Sequence, residues 1–188
     1  MTRGTKTLIR LPLLCAALLL TAACAGPGVT SKSSSDHGAA ATGIDPNRKA
    51  AAITEVKAKR SRGERVWCVP FARDASGVEI RGNAGTWWNS AAGIYARGDD
   101  PVPGSVMAFA STRKNPMGHV AVVAEVISDR EIRIDHANWE RNKLSLGMKV
   151  VDVSEKGDWS SVRLESSPGN LGRSYPINGF IYPQASAS

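Results

Sequence analysis

Cysteine is scarce in this chain, and histidine equally so: three of each in 188 residues. Cys15 and Cys24 both fall within the first 24 residues, so Cys68 is the one cysteine of the part that folds. A single cysteine there excludes an internal disulfide framework. His37, His119 and His136 are far apart, and no close-spaced Cys/His pair suggests a structural zinc site. Long apolar runs are also missing. The longest, residues 11–20, is too short to span a bilayer stably. There is no basic cluster interleaved with aromatics, which speaks against nucleic acid. No phosphate loop, internal repeat or second domain is visible. Asp99-Asp100 offers paired carboxylates but no ladder of oxygen ligands, so calcium is not expected.

What the N-terminus does contain is a leader. Arg3, Lys6 and Arg10 precede the ten-residue apolar run, and small residues follow. Ala23-Cys24-Ala25 fits ordinary signal cleavage. Leu20-Thr21-Ala22-Ala23-Cys24 fits a bacterial lipoprotein box, with Thr21 where leucine is preferred and Cys24 as the lipid-bearing residue. The lipoprotein reading is favoured, because a Gly/Ser-rich tether follows the cysteine. The expected organisation is a leader over 1–24, a tether over 25–44, a basic surface helix over 45–61, a catalytic domain over 62–184 and a tail over 185–188. His37, in the tether, has no neighbouring ligand and reads as solvated. The formal charge is +7, and loss of the three leader cations leaves +4. That modest excess suits an anionic envelope polymer. Export also bears on Cys68, since an unpaired thiol in an oxidising compartment invites oxidation for no structural gain.

Asp45-Pro46 opens the first helix, as N-cap and first-turn proline. Ala50, Ile53 and Val56 give it a weak helical period through Lys59. A second helix is expected around Trp67-Cys68-Val69-Pro70-Phe71-Ala72-Arg73, with Pro70 in its first turn and Ser76-Gly77 as its stop. Cys68 then lies at a helix N-terminus, where the partial positive charge favours thiolate. Val78-Glu79-Ile80 reads as a short strand and residues 86–92 as a short helix. The adjacent Trp87 and Trp88 cannot share a helix face. Residues 105–109 read as the first strand of the main sheet.

Residues 118–127 and 131–139 read as an antiparallel hairpin. If Ile127 opposes Arg130 across a two-residue turn, His119 opposes Asn138 and Ala121 opposes His136. A four-residue loop keeps that register, whereas a three-residue loop would send His119 to the other face. In the favoured register His119, His136 and Asn138 share a face with Ile132 and Ile134, polar at the end far from the turn. Cys68, His119 and His136 could alternatively hold zinc with one open position. Further strands are expected over 147–153, 161–165 and 177–182, with Trp139 and Trp159 as core or groove wall.

These motifs together resemble the CHAP domain (cysteine- and histidine-dependent amidohydrolase/peptidase). They are the Cys68 stretch, Pro103-Gly104-Ser105-Val106, Gly118-His119-Val120-Ala121-Val122-Val123 and His136-Ala137-Asn138-Trp139. The resemblance runs from about Arg62 to Tyr182. It implies an α+β, papain-like fold in which a helix-borne cysteine packs on a small antiparallel sheet carrying the histidine. It implies an exported peptidoglycan hydrolase, an endopeptidase or an N-acetylmuramoyl-L-alanine amidase. Cys68 is then the nucleophile and His119 the base, with His136 and Asn138 both candidates to orient the base. Many members carry glutamate where this chain has His136; histidine there is similar to NlpC-type peptidases. No cofactor or metal is expected, and the partners are peptidoglycan and, through Cys24, a membrane. A monomer is expected. The alternative is a non-catalytic wall-binding lipoprotein with the same fold.

Overall fold

The structure, a computed structural model, describes residues 43–185. The leader, both cleavage readings, Cys24 and His37 lie outside the described residues.

The first helix, α1 (Pro46–Ser61), starts as its sequence dictates. Asp45 Oδ1 accepts hydrogen bonds from the N–H groups of Asn47 at 2.8 Å and Arg48 at 3.4 Å, and Pro46 occupies the first turn. Its Ala52 and Val56 are buried in the same cluster as Phe71 and Ala72 of α2 (Cys68–Ser76). The helix is therefore part of the folded core as well as its surface. A second tie had no sequence signal. Lys49 Nζ lies 2.6 Å from Asp135 Oδ2, and the Asp135 side chain is 1% exposed. Asp135 Oδ1 accepts from the N–H of Gly147 at 2.8 Å. No well-directed hydrogen bond reaches Oδ2, so the Lys49 ammonium acts on it as a counter-charge.

Lys49→Met should leave that carboxylate buried with one N–H donor. Breaking a buried pair from one side typically costs about 3–5 kcal/mol, and the one-third exposure of Lys49 screens part of it, so a loss of about 2–3 kcal/mol is expected. Urea denaturation measures it; an unchanged midpoint would mean that water already solvates Asp135.

Helix α2 ends at Gly77, whose φ of 80° is the left-handed cap expected there. The segment 78–80 departs from expectation. Val78 and Ile80 are buried, but the N–H of Ile80 bonds to the carbonyl of Val78 at 2.9 Å in a tight turn, so no strand forms. A 3-10 turn (Ala84–Thr86) leads into α3 (Trp87–Ser90). Trp87 is fully buried; Trp88 packs at the margin with the Arg97 guanidinium 4.7 Å above its ring. No helix among the described residues is long and apolar enough to cross a membrane.

Seven strands follow: β1 (Tyr95–Gly98), β2 (Val106–Phe109), β3 (His119–Ser128), β4 (Glu131–Ala137), β5 (Leu144–Asp152), β6 (Ser161–Ser167) and β7 (Asn170–Ala185). The sheet thus begins one strand earlier than the sequence suggests. Its order is β1-β7-β2-β3-β4-β5-β6, and β6 also pairs with β7. That extra pairing closes six strands into a barrel, with β1 along the outside of β7. The first part of β7 pairs with β6 and its later part with β2 and β1. Strand alternation divides the side chains. Met107, Phe109, Ala121, Val123, Ile132 and Ile134 fill one core with Trp159, Leu164 and Phe180. Val106, Ala108, Val120 and Val122 meet the helices in the other. The fold class is α+β.

The β3–β4 hairpin confirms the expected register at one end and shifts it at the other. Val122 pairs with Asp135 and Val123 with Ile134, as expected. At the turn, however, Glu131 pairs with Ser128, two residues further along β3 than the proposed register puts its partner, and two register shifts in β3 absorb the difference. A single bulge would have turned His119 to the opposite face; two restore it.

Candidate active site

A cleft of about 690 Å³ opens at the end of β3 that carries His119. Cys68, the first residue of α2, and His119, the first of β3, both line it. The backbone N–H groups of Val120, Val69 and Cys68 all act on the Cys68 sulfur, which puts the sulfur beside the residue that follows His119. His119 Nε2 lies 3.0 Å from His136 Nδ1. The strand register creates that contact, because both residues stand on the same face near the end of the hairpin. Trp139 packs edge-on against the His119 ring with centroids 4.9 Å apart, and Phe109 does the same from below at 5.5 Å. Both histidines are buried.

Asn138 lies in the turn that follows. It has a φ of 63°, its Oδ1 accepts from the N–H of Asn142 at 2.8 Å, and its own N–H bonds to the carbonyl of Lys143 at 2.7 Å. Asparagine tolerates that left-handed backbone better than most residues. Its side-chain oxygen is committed to the turn, while His136 makes the contact to His119. Asn138 lines the cleft through its place in the chain.

Gly118 shows why the segment before His119 takes the form it does. Its φ is 64°, and a Cβ there would stand 2.6 Å from the Cα and N of Gly85. The N–H of Gly85 bonds to the carbonyl of Met117 at 2.7 Å. Two glycine backbones thus touch directly, bringing the 3-10 turn against the base of β3.

Burial dominates the electrostatics. It pushes the Cys68 thiol up, and the three backbone N–H groups pull it down without cancelling the effect. The helix N-terminus therefore acts in the expected direction, but desolvation outweighs it. Burial holds His119 well below the ordinary imidazole value, and His136 adds to the shift. Burial likewise lowers His136, to about 4. At neutral pH the site holds a thiol and two neutral imidazoles. His136 Nε2 is buried without a partner, as is the Oγ of Ser145, its cross-strand neighbour on β5. Among the described residues no group of three or more His, Cys, Asp or Glu side chains is arranged to hold a metal ion, so the zinc alternative for Cys68, His119 and His136 gains no support.

Of the tryptophans, Trp67 and Trp139 form cleft wall, Trp87 and Trp159 are core, and Trp88 lines no part of the cleft. Sequence reasoning missed Lys114, Arg173 and Tyr175, which also line it. Arg173 and Tyr175 alternate on β7 as one face of a strand would, and that period was the only available signal.

No curated protein and no solved structure matches the chain. The family model described as CHAP domain does match, over residues 60–138, a stretch that starts just before the Cys68 helix and ends one residue short of Trp139. That match takes in Cys68, His119 and the His136-Ala137-Asn138 segment, the residues that carry the resemblance, and the CHAP domain is generally found in peptidoglycan hydrolases.

Proposed function

We propose that this protein is an exported peptidoglycan hydrolase that cuts an amide bond with Cys68 as nucleophile and His119 as general base, on a papain-like arrangement. The observation that carries this reading is the meeting, in one cleft, of helix-borne Cys68 with His119, whose ring is backed by buried His136. Export rests on the leader alone, whether cleavage leaves Cys24 as a lipid anchor or releases the domain.

The proton inventory follows from the geometry. His119 Nε2 is engaged by His136, so Nδ1 is the nitrogen that accepts the thiol proton. With Nδ1 unprotonated, Nε2–H donates to His136 Nδ1, which places the His136 proton on its own Nε2. The sulfur attacks the carbonyl as its proton moves to His119 Nδ1. The C–N bond then breaks as that proton passes to the leaving amine, and water hydrolyses the thioester. The backbone N–H of Cys68, in the first turn of α2, stabilises the oxyanion. His136 fixes the His119 tautomer as a neutral acceptor, so it steadies the imidazolium less than a carboxylate would.

Digestion of purified peptidoglycan with the full-length protein, followed by mass spectrometry of the new ends, tests the reading. Paired amino and carboxyl ends within the stem peptide are expected of an endopeptidase. A freed lactyl carboxylate with an alanine amine is expected of an amidase. If neither appears above a heat-treated control, the hydrolase reading fails.

A further inference from the structure

The charges around the cleft are one-sided. Lys114 and Arg173 line it, and among the described residues no carboxylate does. The Arg173 guanidinium lies 4.1 Å over the ring of Tyr175, Tyr175 meets Trp139 at 4.9 Å, and Trp139 meets His119 at 4.9 Å. A chain of ring contacts, stacked at the arginine and edge-on thereafter, thus runs from the arginine to the imidazole. The sheet places Lys114 at the same end: Phe109 pairs with Ile177, so the loop leaving β2 emerges beside Tyr175 and Arg173 of β7. Neither cation has an ion-pair partner among the described residues. A guanidinium stacked on an aromatic ring keeps its edge N–H groups free and pre-oriented, in the fork that grips a carboxylate.

We infer that Arg173, with Lys114, forms a subsite for a free carboxylate of the peptide substrate, and that this subsite selects acidic over amidated peptides. The inference rests on the hydrolase reading. The three contact steps bound the distance from guanidinium to imidazole, so the recognised carboxylate lies within about four extended residues of the scissile amide, at roughly 3.4 Å each.

The test uses soluble peptidoglycan fragments in two forms, with carboxylates free or converted to primary amides, cut by the full-length protein. The unaltered protein should cut the free-acid form with a kcat/KM roughly tenfold higher, as the loss of one charged hydrogen bond predicts. Arg173→Gln should remove that preference by raising KM on the acid form, with kcat and the rate on the amidated form unchanged. Lys114→Gln should act in the same direction, more weakly. Raised salt should narrow the preference in the unaltered protein. Equal cutting of both forms by the unaltered protein would overturn the subsite and leave the hydrolase reading standing. So would an Arg173→Gln variant that keeps the preference, or one that loses both activities equally while retaining its circular dichroism spectrum. Cutting of neither form would remove both proposals together.

Discussion

Cys68→Ala should abolish amide cleavage and leave the fold standing. Removing one member of a catalytic set that acts as a unit forfeits nearly all its rate enhancement, so the loss expected is at least about 10⁴-fold in kcat. Stability should change by under ~1 kcal/mol, because the side chain is only partly buried and no disulfide is lost. Cys68→Ser, close in shape but a weaker nucleophile, should behave similarly. Release of soluble fragments from peptidoglycan, with thermal melts beside it, gives both numbers. Substantial cleavage by Cys68→Ala would end the covalent mechanism. Alkylation of the thiol is a poor discriminator between a hydrolase and a wall binder. Burial raises the Cys68 pKa, so slow alkylation near pH 6 is expected of the resting hydrolase as well as of a binder.

The second large effect is on stability in mild acid. His136 titrates near 4 when folded, against an ordinary 6.5. Between those values the unfolded chain binds the extra proton, so stability is complete above about pH 6.5 and falls as the pH drops toward 4. His136 alone should cost roughly 2.5 kcal/mol by pH 4.5, and His119, shifted the same way, adds to it. Against the 5–15 kcal/mol typical of a domain, that is a large fraction. The exposed carboxylates that bear ion pairs or hydrogen bonds, Glu64 and Asp158, titrate below their ordinary values, so most of their loss comes at lower pH. Urea midpoints at pH 7.5, 6 and 4.5 measure the slope. His136→Gln should flatten it. A flat profile from 7.5 to 4.5 in the unaltered protein would mean that the two rings are solvated.

The sequence carried the site better than the fold around it. The starts of α1 and α2 were legible because Asp45, Pro46 and Pro70 act within one turn of where they stand. The shared face of His119 and His136 was legible because strand side chains alternate strictly. The two bulges in β3 were not, since each is a backbone accommodation among Val, Glu and Ile residues with no turn chemistry to announce it. Asn138 reads in the sequence as a candidate to orient His119; its positive φ and the bond its Oδ1 accepts from Asn142 commit it to the turn instead. The union of β7 with β1 and β2 joins segments far apart in the chain, and no local pattern reports such a pairing. The ion pair between Lys49 and Asp135 escaped for the same reason.

That long closing strand has a consequence for how the protein must be made. Residues 106–109 emerge roughly seventy residues before their neighbours at 177–181, a separation that slows folding. Until then β2 and β6 each present an unpaired edge to other nascent chains. A gene trimmed to residues 60–138 would encode the nucleophile and both histidines but leave β2 without β7 and β4 without β5, and with those two edges permanently open its product should collect as insoluble aggregate.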